Sequence, residues 1–301
     1  MSFLNPVNEP VLRFKSTDAG APQINYNARV AGDVKTVLKA CLVTGYGDKA
    51  SAGWSIVNEV NHVAEFVSPA VAMSDYRLGI DDTSASSTTW YYQYQNVRKN
   101  PSLNAPIKNF GSYIDKNHAS NAWQLLVTQR GLYFVEICKH SGGDVLVARM
   151  TYWGMVKSAL VSDVGENISW FCVGWCAPQI DPKAFFVDFN TKAHTRLGAT
   201  SSLKPASLAI ELLKNGQGRV FGEQAIDITS ELYLITNDKV AAKMPALHIS
   251  EVAILSDLYG VRDTQIGARS CLYLCLSREV TINDVKRWST GAIMPLDYWE
   301  Y

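Results

Sequence analysis

Four of the six cysteines stand in pairs, Cys172 with Cys176 and Cys271 with Cys275. Thiolates that close in sequence hold zinc or form a redox pair when a turn brings them together. In SCLYLCLSRE, however, Leu272, Leu274 and Leu276 alternate with Cys271, Tyr273 and Cys275, the period of a strand. At ~3.3 Å per residue the two thiols then lie roughly 13 Å apart, too far for one metal ion or one disulfide. WFCVGWCAP reads as a strand too, although Gly174 is able to bend it and bring its cysteines closer. The preferred reading is of structural thiols, with a metal or disulfide as the alternative.

Other chemistry-bearing residues meet the same kind of test. Gly45-Tyr46-Gly47-Asp48-Lys49 has the look of a phosphate loop. A phosphate sits on a helix N-terminus, and here the glycines follow a helical pattern, at the wrong end of its dipole. Asp81 and Asp82 adjoin a serine-rich stretch and offer paired carboxylates for a hard cation or for acid-base work. No DxDxDG loop supplies further oxygens, so turn initiation is the preferred reading. His62, His118, His140, His194 and His248 are scattered without HExxH spacing, and no GxSxG elbow accompanies them. The sequence nominates no catalytic residue, cofactor site or metal ligand, and the expectation is that the protein is not an enzyme.

Aromatic residues offer contact rather than reaction. Trp90, Tyr92 and Tyr94 fall on one face of an expected strand. Such a row stacks on sugars when exposed and fills a core when buried. Near the C-terminus, Tyr298, Trp299 and Tyr301 in PLDYWEY suggest a docking tail.

The elements that must position these groups are mostly strands. Residues 1–30, with Pro6, Pro10 and Pro22, read as an extended arm with one strand over 10–15. Val34, Val37, Leu38, Cys41 and Leu42 then form one apolar stripe of a helix that Asp33 is placed to cap and that Gly45 and Gly47 end. Short runs rich in aromatic and β-branched residues follow, among them WSIVNEV, HVAEFV, YRLGID, TTWYYQYQNV, WQLLVTQ and GLYFVEICK, the last two as a hairpin through 129–131. Further strands are expected over 145–152, 168–175, 184–189, 232–236, 248–255 and 271–276. Minor helices are expected after Pro205, where the apolar run also fits a strand, and over 282–288. The predicted fold is all-β dominated, an antiparallel sandwich or barrel-like domain over 31–301 with one short N-terminal helix, one or two minor helices and a possible subdomain boundary near 200.

Composition narrows the partners. The 301 residues carry 28 Lys plus Arg and 28 Asp plus Glu, so no net field steers the chain toward nucleic acid or an anionic membrane. No signal-peptide pattern opens the sequence and no apolar run approaches the ~20 residues of a membrane span, so a soluble, unexported chain is expected.

Three blocks, FKSTDAGAPQI at 14–24, LKACLVTGYGDKASAGW at 38–54 and YRLGIDD at 76–82, resemble a family of tailed-bacteriophage virion structural proteins. Asp18, Gly20, Ala21, Pro22, Ala40, Cys41, Leu42, Val43, Gly45, Tyr46, Gly47, Lys49, Gly53, Trp54, Asp81, Asp82 and Thr83 match its pattern. AWQLLVTQRGLYFVEI at 122–137 and LHISEVAILSDLYGVR at 247–262 extend the likeness more weakly, while the tyrosine-rich stretch after Thr83 and residues 190–230 depart from it. The resemblance implies a virion component assembled in the host cytoplasm, on the head surface as a decoration or minor capsid protein or in the tail. Its partners would be major capsid or tail subunits and copies of itself, as a homo-oligomer, with no nucleic acid and no membrane. The expected contact residues are Phe14, Pro22, Tyr298, Trp299 and Tyr301. The alternative is a carbohydrate-binding β-sandwich for host adsorption, stacking through Trp90, Tyr92 and Tyr94. A third reading, a hydrolytic virion enzyme, needs two carboxylates across a cleft, and the sequence offers no pair.

Overall fold

The computed structural model describes residues 7–24, 30–71, 76–83, 89–98, 107–115, 119–139, 146–155, 157–158, 168–173, 192–194, 200–202, 204–206, 229–236, 239–252, 261–266, 268–275, 280–282, 285–287 and 289–301. Its strands pair antiparallel throughout, as the alternating runs predict, and no sheet among the described residues closes into a barrel.

A five-stranded meander follows chain order: Ser55–Val60, Val63–Val67, Tyr76–Asp81, Thr89–Arg98 and Ile107–Asp115. A second sheet of seven strands runs in space from Thr200–Ser202 through Lys192–His194, Ile168–Val173, Leu146–Met155, Gly131–Lys139 and Ala119–Val127 to Leu12–Lys15. The third sheet runs from Lys204–Ala206 through Thr229–Thr236, Lys239–Val252, Ser289–Pro295 and Arg269–Cys275 to Val261–Ile266, with Lys157–Ser158 beside Lys239–Val252. The chain therefore visits the third sheet at Lys157–Ser158, returns to the second, and re-enters the third at Lys204–Ala206.

These two sheets meet through aromatic side chains. Tyr133 of the second sheet packs on Tyr152 with ring centroids 4.6 Å apart and donates its hydroxyl to the Pro245 carbonyl of the third at 2.7 Å. Leu272, Leu274 and Met294 of the third sheet are fully buried in the same core as Trp123, Phe134 and Trp153 of the second. Burial pushes the Tyr133 and Tyr152 phenols well above their ordinary range, so both stay neutral donors.

The expected hairpin is present: Thr128 donates its N–H to the Gly131 carbonyl at 2.9 Å, closing the turn between Ala119–Val127 and Gly131–Lys139. Cys271 and Cys275 lie in one extended strand, Arg269–Cys275, with Cys271 buried. The helix expected after Pro205 falls on residues outside the described ones; Pro205 itself stands within the strand Lys204–Ala206, paired to Thr229–Thr236. One helical expectation is corrected. Residues expected to form a helix over 282–288 instead include the paired strands Val280–Ile282 and Val285–Arg287. In this pair the β-branched Val280, Thr281, Ile282 and Val285 favour strands over a weak helical period. The strand expected over 184–189 lies outside the described residues.

The N-terminal segment is extended, as expected, but it is docked on its own chain. Leu12–Lys15 forms the edge of the second sheet against Ala119–Val127. Asn8–Pro10 pairs with Tyr298–Glu300 in a separate two-stranded ribbon. Val7 and Tyr301 exchange N–H to carbonyl bonds at 3.1 and 2.9 Å, and Val11 donates to Asp297 at 3.1 Å. Hydrogen-bonded pairs thus alternate along the ribbon, and Pro10 opposite Tyr298 occupies a position that needs no N–H.

Burial in the ribbon follows the pleat. Asn8, Pro10, Tyr298 and Glu300 are exposed, while Glu9 and Trp299 point inward. The Trp299 ring meets Tyr133 edge-on at 5.1 Å and its indole N–H donates to the Pro295 carbonyl at 3.0 Å, so one side chain bridges the two seven-stranded sheets. Truncating it leaves a large void: Trp299→Ala should lower the unfolding free energy by about 3–5 kcal/mol. Tyr298→Ala, one residue away on the solvent side, should cost under about 1 kcal/mol. Urea unfolding followed by circular dichroism distinguishes the two.

Candidate functional site

The helix Asp33–Lys39 is only seven residues long, continued by a π-helical turn over Ala40–Thr44. An isolated helix of that length is unstable in water, so its contacts must hold it. Val34, Val37, Leu38, Cys41 and Leu42, the stripe read from the sequence, are all fully buried.

Both ends of this helix are satisfied by distant parts of the chain. The buried Asp82 carboxylate accepts from the Val34 and Lys35 N–H groups at 2.8 and 3.2 Å, capping the helix from the end of the meander's third strand. Asp33, expected to cap, instead accepts from the Val30 N–H at 3.0 Å, one turn too early. At the other end, the Cys41 and Leu42 carbonyls accept from the Ala52 and Trp54 N–H groups, both at 2.9 Å. The two neighbouring aspartates therefore divide their work: Asp81 takes the Thr83 N–H in a turn at 3.1 Å, as the sequence suggests, and Asp82 is a long-range cap.

Gly45 and Gly47 end the helix as expected, with φ of 75° and 51°. Gly47 has a second reason to be glycine: a Cβ there would enter the Ala19 carbonyl, because residues 19–20 lie directly against it. This contact brings the first block onto the second. Asp18 Oδ2 accepts from the Lys15 N–H at 2.8 Å, from the Tyr46 hydroxyl at 2.9 Å and from Lys49 Nζ at 2.7 Å. Lys49 also donates to the Arg13 carbonyl at 2.6 Å and lies 5.5 Å from the centre of the Phe14 ring.

The electrostatics of this node favour holding over reacting. Burial alone would raise the Asp18 carboxyl, but its bonds from Lys49, the Lys15 N–H and Tyr46 outweigh that and hold it below its ordinary value of 3.8. Burial, with the Asp18 charge nearby, pushes the Cys41 thiol far above its ordinary value. Burial and the bond to Asp18 do the same to the Tyr46 phenol. At neutral pH the set thus holds a protonated thiol, a protonated phenol and an ionised carboxylate bonded to Lys49, with neither the thiol nor the phenol activated as a nucleophile.

The expected contact residues divide between the interior and the surface. Phe14, Trp299 and Tyr301, expected to contact neighbouring subunits, are buried within their own chain. Phe14 sits under Tyr46 with ring centroids 5.9 Å apart, and Tyr301 shares a 2.8 Å hydroxyl bond with Thr128. Pro22 is half-buried, with its carbonyl accepting from the Trp123 indole at 3.1 Å. Tyr298 is 39% exposed and stacked on Arg269, whose guanidinium lies 4.2 Å from the ring centre. Trp90, Tyr92 and Tyr94 alternate along the strand Thr89–Arg98, opposite Ile114, Ser112 and Phe110, and their side chains lie outside the described residues. Among the described residues, no three His, Cys, Asp or Glu side chains gather as a metal ion requires, and no helix is long and apolar enough to cross a membrane.

Sequence reasoning missed the node formed by Asp18, Tyr46 and Lys49 because 28 residues separate the first two. Their only signal was that all three belong to the blocks that carry the family resemblance. Comparison of the chain with protein-family models, curated proteins and solved structures returned no match.

Two measurements test the node. Asp82→Ala should cost about 2 kcal/mol, combining a lost cap with buried N–H groups left unpaired, whereas Asp81→Ala should change stability by under about 0.5 kcal/mol. Because the folded value of Asp18 is depressed, its contribution is fully present above 3.8 and disappears as pH falls through the folded value. Denaturation midpoints followed from neutral pH down through the carboxylate range should fall less steeply in Asp18→Asn than in the native chain.

Proposed function

We propose that the protein is a structural subunit of a tailed-phage virion, on the head surface or in the tail, acting by contact with copies of itself and with other virion proteins rather than by chemistry. One observation carries this reading. The three blocks that resemble the virion family meet at the two ends of one short helix and use charged groups to join segments of the chain: Asp82 on the helix N-terminus, and Asp18 and Lys49 on each other and on the N-terminal strand. This arrangement supports a rigid building block, since Asp18, Lys49 and Asp82 are fixed as ties.

Surface contacts in this reading come from groups that remain accessible. Tyr298 is one, held flat by Arg269, which itself forks onto Asp297 at 3.0 and 2.5 Å. A rigid aromatic held by an arginine loses little side-chain freedom on docking, which favours it as an anchor.

The test is particle composition. In gradient-purified particles of the phage that encodes the chain, quantitative mass spectrometry should find it in multiple copies per particle. Its presence in the lysate but not in the particles would sink the proposal.

A further inference from the structure

We infer that the ribbon of Asn8–Pro10 and Tyr298–Glu300 is a releasable latch, and that Asn8–Pro10 is a strand which one copy of the chain lends to another. The inference rests on the reading of the chain as a repeated subunit. It begins from a tension: the segments expected to reach neighbours are occupied within their own chain.

The ribbon is built to open locally. Among the described residues no backbone ladder joins it to the three large sheets, and each of its strands has three residues, too few for a stable hairpin on its own; the side-chain bonds to the third sheet, Trp299 to the Pro295 carbonyl and Arg269 to the Tyr298 carbonyl, both at 3.0 Å, hold its C-terminal strand. Its N-terminal strand is fastened to the body through Glu9. Glu9 Oε1 receives Arg130 Nε at 2.5 Å, but Oε2 is buried without a hydrogen-bond partner among the described residues. A buried carboxylate oxygen left unpaired works against the closed state.

The next strand is held quite differently. Arg13 donates to Gln124 Oε1 at 2.9 and 2.8 Å and to Asp263 Oδ1 at 2.6 Å, joining an edge of each seven-stranded sheet, while Phe14 is buried. Release therefore stops near Val11, leaving Leu12–Lys15 in place.

What refills the seat is set by charge and pairing. The exposed edge of Tyr298–Glu300 requires an extended segment, and Arg130, mostly shielded from solvent, requires a carboxylate at the inward position. The same Asn8–Pro10 strand of a second copy supplies both, with proline at the position that needs no N–H. The contacts are identical in either arrangement, so only effective concentration selects between them.

Two experiments on the purified full-length chain test this. Asn8 and Glu300 face each other as a pair without backbone hydrogen bonds between them, the closer spacing that a disulfide tolerates. In the double variant Asn8→Cys/Glu300→Cys, kept reduced and then oxidised at rising protein concentration, the disulfide-linked dimer fraction should rise with concentration. Disulfides confined within single chains at every concentration would overturn the exchange. Hydrogen exchange of the native chain should show amides of the ribbon exchanging at least ten-fold faster than those of Leu12–Lys15. Equal protection would overturn the latch. Neither readout involves particles, so failure here leaves the particle-composition result standing.

Discussion

A seven-residue helix cannot hold itself together in water, and the architecture around Asp33–Lys39 follows from that constraint. Its apolar stripe must be buried, its first N–H groups need an acceptor and its last carbonyls need donors. The chain answers with Asp82 at one end and the Ala52 and Trp54 amides at the other. The helix therefore exists only where the meander, the loop after it and the N-terminal segment already meet, which makes their positions interdependent.

Charge is used sparingly and locally in this scheme. The equal numbers of acidic and basic residues leave no net field, and the ion pairs within the described residues act as short ties between particular segments. Asp18 with Lys49 fastens the first block to the helix exit, Glu9 with Arg130 fastens the ribbon to a hairpin turn, and Arg13 with Asp263 joins two sheet edges. A pair that keeps solvent contact, such as Arg13 with Asp263, is worth little singly, so its value lies in fixing register while aromatic burial supplies the stability. Trp299 between the two large sheets, and Trp54 against Trp153 at 5.6 Å, show where that burial is concentrated.

The node also explains why a sequence with suggestive motifs yields no poised reactive group there. A glycine pair after a helix resembles a phosphate loop, yet Gly47 is glycine because the Ala19 carbonyl lies against it. Cys41 is a thiol in the same region, and burial with the Asp18 charge keeps its proton on. In each case the residue type permits chemistry and the surroundings assign it to structure.

Local patterns determined a good deal by themselves. Two-residue alternation marked most of the described strands, the spacing from Val34 to Leu42 marked the buried helical stripe, and the turn at 128–131 followed from its flanking runs, because these depend on neighbours within a few residues. Pairing across long separations was not legible. Nothing near Asp82 says that it caps a helix 48 residues earlier, and nothing in YWEY says that alternate residues turn inward onto Tyr133 and Thr128. The sequence alone determined which segments alternate and where the chain turns. Only tertiary structure decided which acid meets which amide and which aromatic is hidden, since those choices belong to groups that become neighbours after the sheets have assembled.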